Sequence, residues 1–271
     1  MEYDKYFEAN KQGWNKRTAV HKTSSFYDVE SFKKGATSLN KMELEDLGNV
    51  KGKELLHLQC HFGMDTLSWA REGAIVTGID FSEDAIETAK ELSREINVPA
   101  EFICCNVYDT LQHITRQYDI VFASYGVIGW LPHLDKWAAV ISKAVKPGGI
   151  FYLAEFHPFV WLWDDDFTKI QYHYHNQKVI RTEQSGTYTD RNANIKFEEY
   201  SWNHSISEVL NVLIQHGFTI EHFNEYNYSY YNCFSNTVKG NDGYYRIKGM
   251  EDLIPMMYSV KAVKAPAPEG D

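Results

Sequence analysis

Two patterns of apolar residues alternate along much of the chain. Short continuous apolar runs predict buried β-strands, and stretches whose apolar residues recur every three or four positions predict amphipathic α-helices. Between residues 53 and 156 the two patterns follow each other repeatedly, which predicts an α/β domain with a mostly parallel sheet. The predicted strands of this region are residues 53–58, 74–79, 101–105, 118–123 and 150–154.

Polar caps mark the starts of two predicted helices. Ser82 precedes Glu83 and Asp84, and the helix dipole favours carboxylates in a first turn. Ser205 and the glutamate three residues later have the spacing of a capping box, and Gly217 ends the helix that follows. The predicted helices are residues 64–72, 82–96, 134–144 and 206–214, and two further strands are residues 218–226 and 256–263.

Two segments interrupt this alternation. Residues 1–50 contain aromatic residues scattered among charges, and a short helix is predicted from Asn40 to Leu47 with Gly48 at its end. Residues 157–200 are polar, aromatic and rich in histidine, which predicts an insertion of antiparallel strands or a lid. The predicted organisation is an N-terminal cap segment (1–49), a main domain (50–264) with an insertion (157–203), and a disordered tail (265–271).

Composition and charge argue against several classes of partner. The formal net charge is −10 and no run of Lys and Arg appears, which argues against a nucleic-acid substrate and an anionic membrane surface. Residues 1–5 do not form a signal peptide, no apolar run is long enough to span a bilayer, and no Cys-x-x-Cys pair is present. We therefore expect a cytoplasmic protein with reduced thiols, either a monomer or a homodimer.

Candidate chemistry begins at the turn after the first predicted strand. Residues 59–63 connect that strand to the next helix, and Asp80 comes at the end of the second strand. In such a unit the turn brings backbone N–H groups and the positive end of a helix close to a ligand. A carboxylate at the end of the second strand is placed to bind a pair of ribose hydroxyl groups.

The segments Glu54–Thr66 and Gly78–Ser82 resemble motifs I and II of the class I S-adenosylmethionine (SAM)-dependent methyltransferases. The resemblance includes departures from the family pattern. His57 stands where the family has an acid, and Gln59 and His61 stand where the first two glycines of its Gly-x-Gly-x-Gly turn would be. The third glycine of the turn is kept.

Later segments extend the resemblance to residues 50–156 and 204–264. The second range rests on the helix and strand at 205–226 and on the final strand, which are similar to the reversed hairpin that closes the sheet of the family. Tyr118–Ser124 is similar to the fourth-strand motif of the family, and Lys146–Gly149 is similar to its Lys-Pro-Gly-Gly turn before the fifth strand. The resemblance implies a Rossmann-like, seven-stranded, mostly parallel sheet with helices on both faces and an antiparallel last strand. The N-terminal helical cap and the antiparallel insertion would be additions to this domain.

The resemblance also implies SAM as the cofactor. Asp80 would then accept hydrogen bonds from the two ribose hydroxyl groups. The other implied cofactor contacts are Gln59, Cys60, His61 and Gly63 around the methionine part, Phe81, Asn106 and Val107 around the adenine, and Ser124 and Tyr125 beside the sulfonium.

The implied reaction is in-line transfer of a methyl group to a small-molecule acceptor, which requires no metal. A general base matters only for a hydroxyl or a protonated amine acceptor. His133 and His157 are the candidates for this base, since we expect both at the edge of the sheet where ligands bind in open α/β folds. An aromatic set could wall the acceptor pocket or equally form the core of the insertion: Trp130, Trp161, Trp163, Tyr172 and Tyr174.

Two alternative functions remain open at this point. A protein of this fold could bind SAM or its product S-adenosylhomocysteine (SAH) without turnover, and the altered turn at Gln59 and His61 keeps that reading open. A NAD-dependent enzyme would share an acid at the position of Asp80 but needs glycines where its backbone approaches the pyrophosphate. The identity of the acceptor and of the acceptor atom does not follow from the sequence.

Overall fold

The computed structural model describes residues 3–266. Among these residues no helix is both long and apolar enough to cross a bilayer. Residues 267–271 of the tail that the sequence predicts to be disordered lie outside the described range. The helices are α1 (Asp4–His21), α2 (Val29–Lys33), α3 (Lys41–Leu47), α4 (Met64–Arg71), α5 (Glu83–Glu95), α6 (Thr110–His113), α7 (Leu134–Ala144) and α8 (Ile206–Gln215).

The strands follow the predicted order and add two small hairpins. Each predicted strand is found within one or two residues of its expected start and end, apart from the fifth, which is longer. The strands are β1 (Glu54–Leu58), β2 (Ile75–Asp80), β3 (Glu101–Cys104), β4 (Tyr118–Ser124), β5 (Val145–Phe156), β6 (Ile180–Ser185), β7 (Lys196–Ser201), β8 (Phe218–Tyr226), β9 (Thr237–Lys239), β10 (Tyr245–Ile247) and β11 (Met257–Lys264).

A seven-stranded sheet forms the centre of the molecule, in the order β3-β2-β1-β4-β5-β11-β8. Pairs from β3 to β5 are parallel, and β11 is antiparallel to both of its neighbours. The predicted fold class is confirmed. The turn expected at Lys146–Gly149 is an irregularity inside β5, because Tyr118 pairs with Val145 but Ile120 pairs with Ile150, and Gly148 has a positive φ of 74°.

Capping chemistry explains where several helices begin. The Ser82 hydroxyl accepts a hydrogen bond from the N–H of Ala85 (3.1 Å), which satisfies a free donor at the start of α5. At α3 a capping box joins Asn40 and Glu43, and Gly48 follows the end of the helix, where the sequence predicts it.

Apolar side chains cover the sheet on both faces. Val121 of β4 belongs to the core on the side of α7 and α8, where Trp137 is fully buried. Phe122, its neighbour, belongs to the core on the opposite side, together with Trp69 of α4. Successive residues of a strand point to opposite faces, so each central strand is buried on both sides.

Helix α1 packs along β7 of the β6–β7 hairpin, which lies within the predicted insertion. The side chain of Asn10 pairs with the backbone N–H and C=O of Tyr200, both at 2.8 Å. Lys11 forms an ion pair with Glu83 of α5 (2.9 Å). Helix α1 therefore bridges the hairpin and the main domain at the carboxyl ends of the parallel strands.

Candidate active site

A cavity of about 770 Å³ lies at the carboxyl ends of β1, β2 and β4, below α1 and the β6–β7 hairpin. Ligands bind at this edge in open α/β sheets. All ten residues that the sequence predicts as cofactor contacts line this cavity: Gln59, Cys60, His61, Gly63, Asp80, Phe81, Asn106, Val107, Ser124 and Tyr125.

The turn after β1 keeps a glycine-like backbone despite its side chains. Gln59 (φ 55°) and His61 (φ 51°) adopt the left-handed conformation that glycine normally provides. Gly63 (φ 79°) cannot be replaced in the same way, because a Cβ atom there would lie 2.7 Å from the ring of Phe102. The two substitutions relative to the family pattern therefore change the chemistry of the turn and preserve its path.

Two side chains of the turn, Gln59 and Cys60, bring polar atoms to the cavity. The Gln59 amide nitrogen donates to the carbonyl of Val127 (2.9 Å). Its amide oxygen is buried and has no hydrogen-bond partner among residues 3–266. Burial raises the pKa of the Cys60 thiol well above its usual range, so this thiol stays protonated and unreactive.

Asp80 ties the end of β2 to the turn. Its two carboxylate oxygens accept hydrogen bonds from the backbone N–H groups of His61 (2.9 Å) and Ser82 (2.9 Å). The side chain is buried, and this burial raises its pKa to about 6. A carboxylate has about four acceptor positions, so two stay available for a pair of hydroxyl groups.

A second carboxylate, Asp65 in the first turn of α4, was missed by the sequence analysis. It accepts hydrogen bonds from the hydroxyls of Ser38 (2.6 Å) and Ser124 (3.0 Å). His57 contacts Ser124 from the other side (3.4 Å) and Thr66 (2.8 Å), and burial lowers its pKa to about 3. The neutral histidine thus replaces the usual acid of β1, while α4 brings a carboxylate to the same serine.

A third carboxylate, Glu43 of α3, lies behind the cavity wall and was also missed. The hydroxyl of Tyr125 donates to it (2.6 Å), and so does the backbone N–H of Asn40 (2.7 Å). The Asn40 amide group donates to the hydroxyl oxygens of Tyr125 (3.1 Å) and Tyr231 (2.9 Å). Burial, and then the charge of Asp65, raise the pKa of Glu43 to about 8.

The far end of the cavity is formed by the loop after β3. The side-chain oxygen of Asn106 accepts a hydrogen bond from the N–H of Tyr108 (3.1 Å) and caps the short helix Val107–Asp109. Phe81 also lines the cavity. This end offers a ring and an amide to a flat heterocycle.

Neither histidine predicted as a base lines the cavity. His157 contacts Glu225 through Nε2 (2.9 Å) and accepts the N–H of Phe159 at Nδ1 (3.1 Å), so both ring nitrogens are engaged. His133 precedes α7, and its ring packs on Tyr3 with 4.8 Å between ring centroids. The structure separates both from the ten predicted cofactor residues.

Most of the predicted aromatic wall is present. Trp130, Trp161, Trp163 and Tyr172 line the cavity, joined by Phe156, Phe167 and Phe234. Tyr174 lies elsewhere, and its hydroxyl accepts the N–H of Ile206 at the start of α8 (3.3 Å). Within residues 3–266, no three His, Cys, Asp or Glu side chains are placed to hold a metal ion.

Glu155 fixes the loop that carries Tyr125. Its buried carboxylate accepts the backbone N–H groups of Gly126, Val127 (2.8 Å) and Ile128 (3.1 Å). We expect Glu155→Gln to lower the free energy of unfolding by about 2 kcal/mol, because an amide NH₂ would face these donors. Chemical denaturation would measure this, with exposed Glu91→Gln as the control. Equal stability of the two variants would contradict the anchoring role.

Residues 56–151 match the model of a methyltransferase domain family, and this segment carries the end of β1, the turn, Asp80 and the strands β2 to β4. The chain contains a methyltransferase domain. The family match covers the ten residues predicted as cofactor contacts and leaves α1 to α3 and the β6–β7 hairpin outside it.

Curated relatives of this methyltransferase domain share its central part. An uncharacterized methyltransferase of Synechocystis sp. is 31% identical over 131 residues, which is 48% of this chain and 59% of the relative. The ubiquinone biosynthesis O-methyltransferase of Vibrio atlanticus is 28% identical over 130 residues, 46% of this chain and 54% of the relative. The matched region thus spans little more than half the length of these relatives.

A solved structure shares the fold over nearly the whole chain. The complex of DhpI with SAH superposes with a TM-score of 0.56 at 16% identity, covering 97% of this chain and 98% of DhpI. At this identity the likeness shows the fold alone. The methyltransferase domain and its additions therefore follow an arrangement that recurs in a solved structure.

Proposed function

We propose that this protein transfers a methyl group from SAM to a small-molecule acceptor by in-line displacement. The observation that carries the proposal is the convergence of all ten expected cofactor residues on one cavity, at the carboxyl ends of the parallel strands. The methyltransferase domain match over residues 56–151 supports it independently. The match covers only this segment, so the methyl-transfer activity of the whole chain is proposed here.

The residues present fit SAM. Asp80 has acceptor positions for the ribose hydroxyls, and the unpartnered oxygen of Gln59 can accept a hydrogen bond from the methionine ammonium group. Asp65 adds a half-buried carboxylate close to the same turn. Bound SAM supplies a methyl group on a positively charged sulfur, and the residues of the chain bind it, orient the acceptor and exclude water.

We further propose that the N-terminal segment (1–49) and the insertion (157–203) enclose the acceptor. Aromatic rings from these two segments line the cavity, including Phe26, Trp161 and Trp163, which suits a planar or apolar molecule. The net charge of −10 supports a small molecule over a nucleic acid.

Calorimetry followed by a turnover screen tests the proposal. We expect micromolar binding of SAM and of SAH, and methyl transfer to members of a panel of aryl alcohols and amines, detected by mass spectrometry with deuterated methyl-SAM. Binding without any transfer across the panel would favour a SAM-binding module. Binding of NAD with no binding of SAM or SAH would overturn the proposal.

The affinity for SAH should depend on pH through Asp80. Its pKa of about 6 means that the carboxylate is ionised above that pH and protonated below it. Because the ionised form is the better acceptor for ribose hydroxyls, the dissociation constant should rise about tenfold per pH unit below 6. Calorimetric titration with SAH from pH 5 to pH 8 would measure this. A flat profile would show that Asp80 does not contact the ligand.

A further inference from the structure

Tyr125 has an unusual backbone conformation at the point where β4 enters the cavity. Its φ of 41° lies in the left-handed region, which is uncommon for a bulky residue. Its backbone N–H is fixed by the carbonyl of Ala154 (2.8 Å), and the next residue, Gly126, also has a positive φ of 74°. Strained backbone of this kind persists where the surrounding structure holds it and often marks a functional site.

This conformation lets the Tyr125 side chain line the cavity while its hydroxyl reaches Glu43. The hydrogen bond is short (2.6 Å), and the Glu43 side chain is fully buried. Asn40 holds both ends of the pair, since its N–H donates to Glu43 and its amide to the Tyr125 oxygen. The phenol is therefore oriented with its proton toward Glu43 and its oxygen open to one further donor.

The groups that face Glu43 from other elements are acidic or neutral. They are Asp65 of α4, Tyr125 after β4, Tyr152 of β5 with its partner Asp46, and Tyr230 and Tyr231 of the loop before β9. No Lys, Arg or His among residues 3–266 forms an ion pair with Glu43 or Asp65. Glu43 is fully buried and Asp65 is half-buried, so a positive charge from outside the chain would favour the state in which both carboxylates are ionised.

We propose that Tyr125 takes the proton of the methyl acceptor and passes its own phenolic proton to Glu43, so that the acceptor is a hydroxyl or an ammonium group. This inference rests on the proposed function. The acceptor atom forms a bond to the methyl carbon while the carbon–sulfur bond breaks and its electron pair stays on sulfur. The acceptor proton moves to Tyr125 Oη, and the Tyr125 proton moves to Glu43 Oε1, from which it later leaves to solvent.

Tyr125 is the catalytic residue of this pair, and Glu43 is a positioning residue that acts through it. A base works best when its pKa lies near the working pH, and the pKa of Glu43 is about 8. The positive sulfur of SAM near Tyr125 would favour the ionised form of Glu43. Cofactor binding would thus turn a protonated Glu43 into a proton acceptor.

Proton release on cofactor binding tests this without a known acceptor. At pH 7 we titrate the protein with SAM and with SAH by calorimetry in phosphate and in Tris, whose ionisation enthalpies differ. The dependence of the heat on the buffer gives the number of protons released. We expect SAM to release a proton and SAH to release fewer, because SAH has no sulfonium charge. Absence of binding would contradict the proposed function, whereas binding with no proton release contradicts only this inference.

Glu43→Gln identifies the source of the proton. Glutamine keeps the capping-box geometry of α3, so this variant should fold and bind SAM within a few-fold of the parent protein but release no proton. Glu45→Gln is the matched control, since Glu45 is exposed on the same helix and should behave as the parent protein. Unchanged proton release in Glu43→Gln would overturn the assignment.

Kinetics with an acceptor from the turnover screen complete the test. Tyr125→Phe should lower kcat about 100-fold, because phenylalanine keeps the ring at the cavity wall but has no hydroxyl group to take a proton. Because ionised Glu43 accepts the proton, kcat of the parent protein should rise with pH. Glu43→Gln should remove this pH dependence and Glu43→Asp should restore part of it, whereas a purely structural role of Glu43 would not give this difference. Aryl alcohol and amine acceptors, assayed in parallel, distinguish the two acceptor classes. Full activity of Tyr125→Phe with both classes would refute the proposal.

Discussion

Gly63→Ala is expected to lower the free energy of unfolding by about 4 kcal/mol, of which about 1 comes from the left-handed backbone and about 3 from overpacking. The glycine has a φ of 79° at the start of α4. A Cβ atom would lie 2.7 Å from the ring of Phe102 and 2.9 Å from the Cβ of Ala89. Both neighbours belong to a packed core, so neither can move away at low cost.

Chemical denaturation of the purified variant measures this loss. Gly217→Ala is the matched control, because Gly217 also has a positive φ (85°) but a Cβ atom added there would meet nothing within 4 Å. Its loss should be about 1 kcal/mol, the backbone cost alone. Equal losses in the two variants would show that the contact with Phe102 does not constrain the turn. A concurrent loss of SAM binding in Gly63→Ala is expected, because the turn itself would shift.

Asp80→Asn is expected to weaken SAH binding by about 3 kcal/mol, or more than 100-fold, if the carboxylate accepts both ribose hydroxyls. Asparagine retains the size and one acceptor oxygen of the side chain but lacks the charge. The remaining oxygen would still be shared with the N–H groups of His61 or Ser82. Loss of the charge-assisted hydrogen bonds should therefore appear in ligand affinity more than in stability.

Calorimetry with SAH measures the effect, and Asp84→Asn is its control. Asp84 is exposed in the first turn of α5, four residues from Asp80, and has no part in the cavity. Its substitution should leave the dissociation constant unchanged. The pH dependence of binding below pH 6 should disappear in Asp80→Asn. Retained affinity in that variant would place the ribose elsewhere.

Local sequence features were sufficient to predict the sheet and ten residues that line the cavity. Helix α5 follows from one apolar stripe and the cap at Ser82, and each central strand is a short buried run. The predicted contacts sit within a few residues of strand ends, whose position in this fold is fixed by topology. Asp80, Asn106 and Ser124 line the same cavity because each stands at or just after the carboxyl end of a parallel strand.

Helix α1 could not be predicted from apolar periodicity, because the face it buries is largely polar. Its buried residues are Asn10, Gly13, Arg17, Thr18 and His21. Asn10 pairs with backbone groups of β7, and Arg17 forms an ion pair with Glu199 of that strand. A helix held by such pairs has no apolar stripe to reveal it, and only the folded chain brings the partners together.

The polar network around Tyr125 escaped the sequence analysis for a related reason. Glu43 and Tyr125 are separated by 82 residues, and nothing in the local pattern of α3 beyond its capping box marks Glu43. His133 and His157 show that a position near a strand end does not by itself place a side chain in the cavity. His157 lies after a strand end as expected, but tertiary packing turns its ring toward Glu225 of β8 and away from the cavity.

The pairing of Asn10 with the backbone of Tyr200 has a consequence for how ligands enter and leave the cavity. Because α1 and the β6–β7 hairpin are joined by this pair and by the buried Arg17–Glu199 bridge, we expect them to swing as one gate. Both supply side chains to the roof of the cavity. Spent cofactor and methylated product would then leave through the same opening, and a single motion would set the pace of each catalytic cycle.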